Sequence, residues 1–599
     1  GAATAATMLI NDLERAERNA PASQKGLFVR YREANRERIR LLMIPVKDDA
    51  GRADRTRGLK ELTDELARLE QELSSVNVDF RRRRALIEAT PKEVCESLKA
   101  NDAGMVVYVR YKHFDPNAKN LRYSDRWSPR YLGLAVNPEG CGVSRVELGS
   151  AKRLDTLVQT YRDTVESVRA CIESKNLHPD AVGHLCAAEL AAMDAAASTV
   201  REYIWDPLAK GLPASGRIYV VPDGSLLDVP FGSLPTGTLP DGKTKYMIED
   251  RDLAYLSSPR DAMGLGQPQE THGEGALVMG WVDYTSAQAM PMALAESEFC
   301  QRQGCTSIKQ QKTRIARAEP APKESLRSST ECGWATRTWE AGMGQDAPAI
   351  AEALGRSLNK GALLTTDWRA SEGLLRQEMP GKRILHLSSH GFYSTWEECR
   401  KEPEGRQRLL KMAPKRMEAA GNEKWTPDPL TLTGLVLAGA NVGAVGTDRN
   451  DPTNDGILSG REIADLDLTS ADVVVLAACE TGRGNKTSGE GALGLGKAFL
   501  VAGARQVVMA LWQVPDIHTE NLFQRFYQGF SPKPTAPKSS RSGKSSTAKT
   551  GAQSHEAHID SVAALRNAQL ELLNDARNRL GFLHSSYLWG GFVPMVRGN

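Results

Sequence analysis

The sequence predicts an α/β protein built on a mostly parallel sheet with helices on both faces. Three observations carry that expectation. Short apolar runs such as Ile384–Leu387, Val473–Leu476 and Gln506–Leu511 have the pattern of strands buried on both faces. Helical stretches, among them Ala347–Leu358, Ser371–Met379 and Ala492–Ala502, alternate with those runs, as crossover connections require. The runs also end in small, polar or glycine-rich residues, which is where ligands and catalytic groups collect in open sheets.

Taken in order, residues 9 to about 88 read as helical. Leu62, Leu66, Leu69 and Leu73 step at helical spacing within Gly58–Val76 and define an amphipathic helix. The basic run Arg81–Arg84 reads as a solvated helix face, because no aromatic or glycine pattern accompanies it. Met105–Tyr111, Tyr131–Val136 and Gly142–Leu148 are expected strands, with Asn137–Gly140 as a turn, so a small antiparallel meander is expected. Two long helices, about Ala151–Ser174 and Ala181–Lys210, follow it. The alternating part then has strands at Arg217–Val221, Ala276–Met279, Arg383–Leu387, Leu432–Leu437, Val473–Leu476, Gln506–Leu511 and Gly591–Met595. The expected division is 1–90 helical, 91–215 meander with long helices, and 216–599 the α/β domain. Three stretches interrupt it. Cys300–Gly333 is polar and basic, and Ser394–Pro429 is charged and a candidate lid. Ser531–His555 has almost nothing to bury and is expected to be disordered.

Composition excludes several classes. The chain has 599 residues, 41% hydrophobic and 25% charged, as in globular proteins. A net charge of +3 argues for neither nucleic acid nor a membrane surface as a partner. No apolar run approaches a membrane span. Gly1–Met8 lacks the basic start and apolar core of a signal peptide, and the chain reads as part of a longer one. Nine cysteines scattered without a framework suit a reducing compartment, which gives a cytoplasmic expectation.

The chemistry concentrates at two strand ends. Ala477-Ala478-Cys479 leaves one buried run with an uncrowded thiol, and Ser388-Ser389-His390-Gly391 leaves another. A cysteine and a histidine on neighbouring strand ends suit nucleophilic catalysis, the imidazole taking the thiol proton and the thiolate attacking a carbonyl. Gly391 and Cys479 are candidate oxyanion donors through their backbone N–H groups. Asp455, Glu490 and Asp516 are acids near the expected cleft, each a candidate for a basic substrate side chain or a structural cap. Trp512 is either a pocket floor or a buried anchor. His386, inside an apolar run, reads as a hydrogen-bonded core histidine, and Cys95, Cys171, Cys186 and Cys399 as small buried hydrophobes. A zinc site from His386, His390 and Cys479 lacks paired ligand spacing. Gly489-Glu490-Gly491-Ala492-Leu493-Gly494 spells a dinucleotide fingerprint, but a loop of about a dozen residues separates it from its strand, so close helix–sheet packing is the better reading. No metal or organic cofactor is required.

These residues sit in segments that resemble the CHAT family, relatives of caspases and separases often found behind tetratricopeptide repeats. The resemblance is carried, in order, by VVPDGSLLDVPFGSLP, ALVMGWVDY, ILHLSSHGFY, LTLTGLVLAGAN, DGILSGREIADLDL, VVVLAACETGRG, GEGALGLGKAFLVAGARQVVMALWQVPD and SSYLWGGFVPMV, from about residue 90 to the C-terminus. It implies a caspase-like α/β/α sandwich and a cysteine peptidase whose dyad falls on His390 and Cys479. It further implies a protein substrate, gasdermin-like pore formers among the candidates, a regulatory protein partner, and a role in prokaryotic immunity or programmed death. The repeats are absent upstream, and Ala478-Cys479-Glu480-Thr481-Gly482 is not the caspase flank, so specificity for acidic residues does not carry over. The rival function is a regulatory scaffold that keeps the fold without cutting.

Overall fold

A computed structural model describes residues 20–43, 49–117, 122–174, 185–266, 273–285, 344–358, 360–393, 429–441, 456–477, 492–512, 516–530, 559–579 and 586–598, with a few single residues such as Trp339 and Val514. The polar insertion Cys300–Gly333, nearly all of Ser394–Pro429 and the low-complexity Ser531–His555 lie outside the described residues.

Four helices open the chain: α1 (Ala22–Met43), α2 (Asp49–Val76), α3 (Val78–Glu88) and α4 (Pro91–Ala100). The first three enclose a small core of their own. Leu66, Leu69 and Leu73 of α2 are buried against Phe28, Tyr31 and Phe80, and Leu62 packs at the edge, as the leucine spacing requires. α4 starts where Thr90 and Glu93 form a reciprocal cap and Pro91 takes the first turn.

Then come β1 (Ala103–Phe114), β2 (Trp127–Asn137), β3 (Gly142–Ser150), α5 (Ala151–Ser174), α6 (Ala187–Ile204) and β4 (Arg217–Val221). A hairpin of β5 (Pro235–Thr238) and β6 (Thr244–Tyr246) precedes β7 (Asp252–Tyr255) and β8 (Ala276–Val282). The chain continues through α7 (Ala347–Ser357), β9 (Ala362–Asp367), α8 (Glu372–Glu378), β10 (Ile384–Leu387), β11 (Gly391–Tyr393), β12 (Thr433–Val436), β13 (Ile457–Ser459) and α9 (Gly460–Ala464). It closes with β14 (Val473–Leu476), α10 (Ala492–Ala502), β15 (Gln506–Ala510), α11 (Asp516–Gln528), α12 (Ser561–Arg579) and β16 (Phe592–Val596).

Eleven strands form one sheet in the order β3-β2-β1-β4-β7-β16-β15-β14-β10-β8-β9. β1, β4, β7 and β16 are mutually parallel, and so are β15, β14, β10, β8 and β9. The two blocks meet where β16 runs antiparallel to β15. The meander is not a separate sheet: β1 pairs parallel with β4 and carries β2 and β3 out to the edge. The fold is thus α/β with a mostly parallel sheet, as the apolar runs indicate.

Three sequence expectations need correction. Leu432–Leu437 supplies β12, but that strand joins β11 and β13 in a separate antiparallel sheet rather than the main one. All four of its residues are buried, like those of a main-sheet strand, but its pairing with both neighbours is antiparallel, which the apolar run alone does not reveal. β7 and β9 were not expected. β7 is four residues long in a charged context, and β9 is a half-exposed edge strand, so neither shows an uninterrupted apolar run. Cysteine pairing is the third: Cys95 is bonded to Cys141 and Cys171 to Cys186. Folding brings α4 over the β2–β3 turn and the end of α5 to the start of α6, approaches that residue spacing does not reveal. Four of the nine cysteines are therefore paired, and the argument from cysteine usage to a reducing compartment lapses. Among the described residues, no helix is long and apolar enough to cross a membrane.

Candidate active site at the ends of two adjacent strands

β10 lies between β8 and β14, parallel to both, with Ile384 opposite Val473 and Leu387 opposite Leu476. All eight residues of β10 and β14 are buried, so each strand is held from both faces. Beyond the strands the backbones stay together: Ala477 donates to the Leu387 carbonyl at 3.0 Å, and Ser388 donates to that of Met279 at 2.8 Å. One exit leads in three residues to His390. The other has reached Ala477, two residues before Cys479, where description stops. Cys479, Asp455 and Glu490 lie outside the described residues. Asp516 opens α11, and its side chain is likewise outside.

The opposite ends of the same strands are locked. Arg383, just before β10, donates Nε to Asp472, just before β14, at 2.8 Å, with side chains 6% and 3% exposed. An uncompensated member of such a buried pair is costly, so the two strands keep their stagger.

His386 points into packing. It is fully buried, with Nδ1 at 2.8 Å from the Tyr527 hydroxyl on α11 and Nε2 at 3.0 Å from the Ser388 hydroxyl, and its ring meets Phe523 edge-on. Burial pushes its pKa down to about 3, so it is a neutral structural group across the physiological range.

His390 is half-buried and lies against two aromatic rings. The Tyr284 ring centroid is 5.2 Å from the imidazole, and that of Trp339 is 5.4 Å away. Its backbone is fixed by a closed circuit. Val436 donates to the His390 carbonyl at 2.8 Å. The His390 N–H points to the Tyr284 hydroxyl at 3.3 Å, that hydroxyl to Ser389 Oγ at 3.1 Å, and Ser389 Oγ donates to the Val436 carbonyl. The bond from the Val436 N–H to the His390 carbonyl brackets the pair Gly391 with Leu435, which is therefore the non-hydrogen-bonded kind. The N–H of Gly391 therefore points away from β12, toward the other edge of β11.

Trp512 is buried, donates Nε1 to the Tyr587 carbonyl at 2.9 Å and lies parallel to the Tyr587 ring. Gly591 is required beside it, since a Cβ there would sit 2.7 Å from its indole nitrogen. These contacts are those of an anchor. Tyr284, Trp339 and Asn441 were not singled out from sequence. Tyr284 and Asn441 end ALVMGWVDY and LTLTGLVLAGAN, whose pairing is visible only in three dimensions, and Trp339 follows a polar stretch with no pattern of its own.

The site thus belongs to an α/β protein with a histidine poised at a strand end beside a neighbouring exit. The CHAT domain family matches residues 194–597, well over half of the chain, and the protein belongs to that family. No curated protein matches the sequence. Two crystal structures of the Saccharomyces cerevisiae separase–securin complex, at 3.0 and 2.6 Å resolution, are similar at 9% sequence identity. Their TM-scores are 0.39 and 0.37, and the matches cover 89% and 99% of this chain but only 32% and 40% of the matched chains. The chain spans less than half the length of either.

Proposed function

We propose that this protein is a caspase-like cysteine endopeptidase that cuts a specific protein partner. The observation that carries the reading is the in-register parallel pairing of β10 with β14, which keeps the two exits together at the carboxyl end of the sheet as far as Ala477, two residues short of Cys479 in sequence. Membership of the CHAT domain family supports it.

In the proposed reaction, His390 takes the Cys479 thiol proton and the thiolate attacks the scissile carbonyl, forming a C–S bond. The N–H groups of Gly391 and Cys479 hold the oxyanion, the former from the open edge of β11. Collapse breaks the C–N bond, and the imidazolium returns its proton to the leaving amine. Water then attacks the thioester, giving a proton to His390 and releasing the carboxylate product and the thiol. An extended substrate segment adds to a sheet edge by strand pairing. Asp455, Glu490 and Asp516 are proposed to meet basic substrate side chains, with Trp512 supporting the pocket from within the core. Gating by a regulatory partner in a defence or cell-death setting completes the proposal.

The test is incubation of a proteome with wild type and with Cys479→Ala, followed by sequencing of new N-termini. The reading predicts a small set of cuts made by wild type alone. Identical N-termini in both samples, with wild type fully folded, would refute it.

A further inference from the structure

We infer that Tyr284, Trp339 and Asn441 form a clip that positions the His390 imidazole for proton transfer. The inference rests on the reading of His390 as the acid–base group and assigns roles to three residues outside the dyad.

Asn441 joins the two aromatic arms. Its side chain accepts from the Trp339 N–H at 2.7 Å and donates to the Trp339 carbonyl at 2.7 Å, while its own N–H donates to the Tyr284 carbonyl at 2.8 Å. The side-chain amide thus imitates a strand for Trp339 while the backbone N–H ties Tyr284, so Asn441 holds both chain segments at one place. From there each ring reaches the imidazole, at 5.2 and 5.4 Å between centroids. Trp339 is 7% exposed and also contacts the fully buried Phe392, two residues after His390. The circuit through Tyr284, Ser389 and Val436 fixes the backbone of the same histidine.

An imidazole at a strand end has two side-chain torsions, and proton transfer requires one nitrogen within hydrogen-bond reach of the thiol. Aromatic rings inclined at 41° and 36° to the imidazole restrict those torsions by contact. The Asn441 hydrogen bonds serve no strand or helix of their own. They make Trp339, which belongs to none of the described strands or helices, a fixed wall of the histidine site. Geometry held in this way is worth about a hundredfold in rate when displacement approaches 1 Å.

The test uses the full-length protein carrying 13C at the histidine Cε1 position, with the His390 signal assigned by its loss in His390→Ala. Ring currents from Tyr284 and Trp339 displace that signal in wild type. In Trp339→Leu and Asn441→Ala the signal moves toward that of exposed histidines, and kcat on a cleaved peptide falls by about tenfold or more. KM stays within about twofold, and Trp339→Phe restores most of both readouts. Asn441→Ala keeps every ring, so it reports on the clip even where Trp339→Leu lowers the melting temperature. A His390 signal unmoved in both variants overturns the clip. A displaced signal with unchanged kcat overturns the positioning role. Failure of the peptidase reading looks different, since wild type then cuts nothing while the resonance still reports whether the clip holds the ring.

Discussion

The two blocks of the sheet are built alike and end differently. In the first, the chain leaving β4 turns at Pro222-Asp223-Gly224, and its polar groups are used internally. Asp223 accepts from the backbone N–H groups of Arg110 at 2.8 Å and Gly224 at 3.0 Å, and Ser225 donates to the Tyr131 hydroxyl, which in turn bonds Asp155. A Cβ on Gly224 would fall 2.0 Å from that hydroxyl, so the turn is sealed against Tyr131. In the second block the exit of β10 carries a half-buried histidine against aromatic rings, and its neighbour leads toward a cysteine. On the proposed reading, chemistry falls at the strand ends of the second block, while those of the first are tied up in internal hydrogen bonds. The blocks also differ in buried charge. Burial pushes Asp194, Asp228 and Asp261 around the first block up to about 6, and pushes His386 in the second down to about 3.

The largest expected effect tests the comparison at its centre. His390→Ala and Cys479→Ala each lower peptide cleavage by at least about a thousandfold while leaving the melting temperature nearly unchanged. Asp223→Ala, at the matching exit of the first block, does the reverse: activity per folded molecule survives and stability falls by about 1–3 kcal/mol, read by urea denaturation.

Next in size is the lock beneath the site. Asp472→Ala removes the buried carboxylate 2.8 Å from Arg383 Nε and costs about 3–5 kcal/mol. Asp252→Ala in the first block costs less, because Arg217 retains Asp560 at 2.8 Å and the pair is more exposed. Equal losses in chemical denaturation would mean that the blocks are held alike.

His386→Ala is expected to cost about 2–3 kcal/mol at pH 7.5, through two hydroxyls left without their partner. The sign of its pH dependence follows from a folded pKa depressed to about 3 against an ordinary 6.5. The unfolded chain binds the proton first, so the wild type loses stability as pH falls from about 6.5 toward 3. The alanine variant lacks that loss, and its deficit narrows over the same window. The raised carboxyls act oppositely, each relieving the native state as pH falls from about 6 toward 3.8. A deficit constant with pH would show that His386 is not buried neutral.

The smallest effect is expected for Ser531–His555. Replacement by a short Gly/Ser linker shifts the melting temperature by only about 1–2 °C, because the tract has little apolar surface to bury. A larger shift would make it part of the fold.

Much of the second block was legible in the sequence. Strands buried on both faces need mostly apolar runs, and Ile384–Leu387 and Val473–Leu476 announce themselves for that reason. His386 was legible too, since a polar residue inside such a run must be hydrogen-bonded. β9 and β7 were not, because an edge strand and a four-residue strand between charges carry no run to detect. The clip was illegible for another reason: Tyr284, Trp339 and Asn441 lie far apart in the chain, Trp339 and Asn441 by 102 positions, and nothing local in any of them specifies the meeting. Disulfide partners share that property. Cys95 in an amphipathic helix looks like any buried cysteine until the β2–β3 turn arrives over it.

The central claim, that Cys479 is a nucleophile activated by His390, is tested most directly by timed alkylation with iodoacetamide under non-reducing conditions, each cysteine followed by mass spectrometry. Cys300, Cys305, Cys332 and Cys399 serve as internal comparators, the remaining four being paired. The account predicts that Cys479 reacts at least about tenfold faster than any of them near neutral pH, and that His390→Ala removes the difference. Alkylation of Cys479 at the comparators' rate, or a fast rate untouched by His390→Ala, would contradict it.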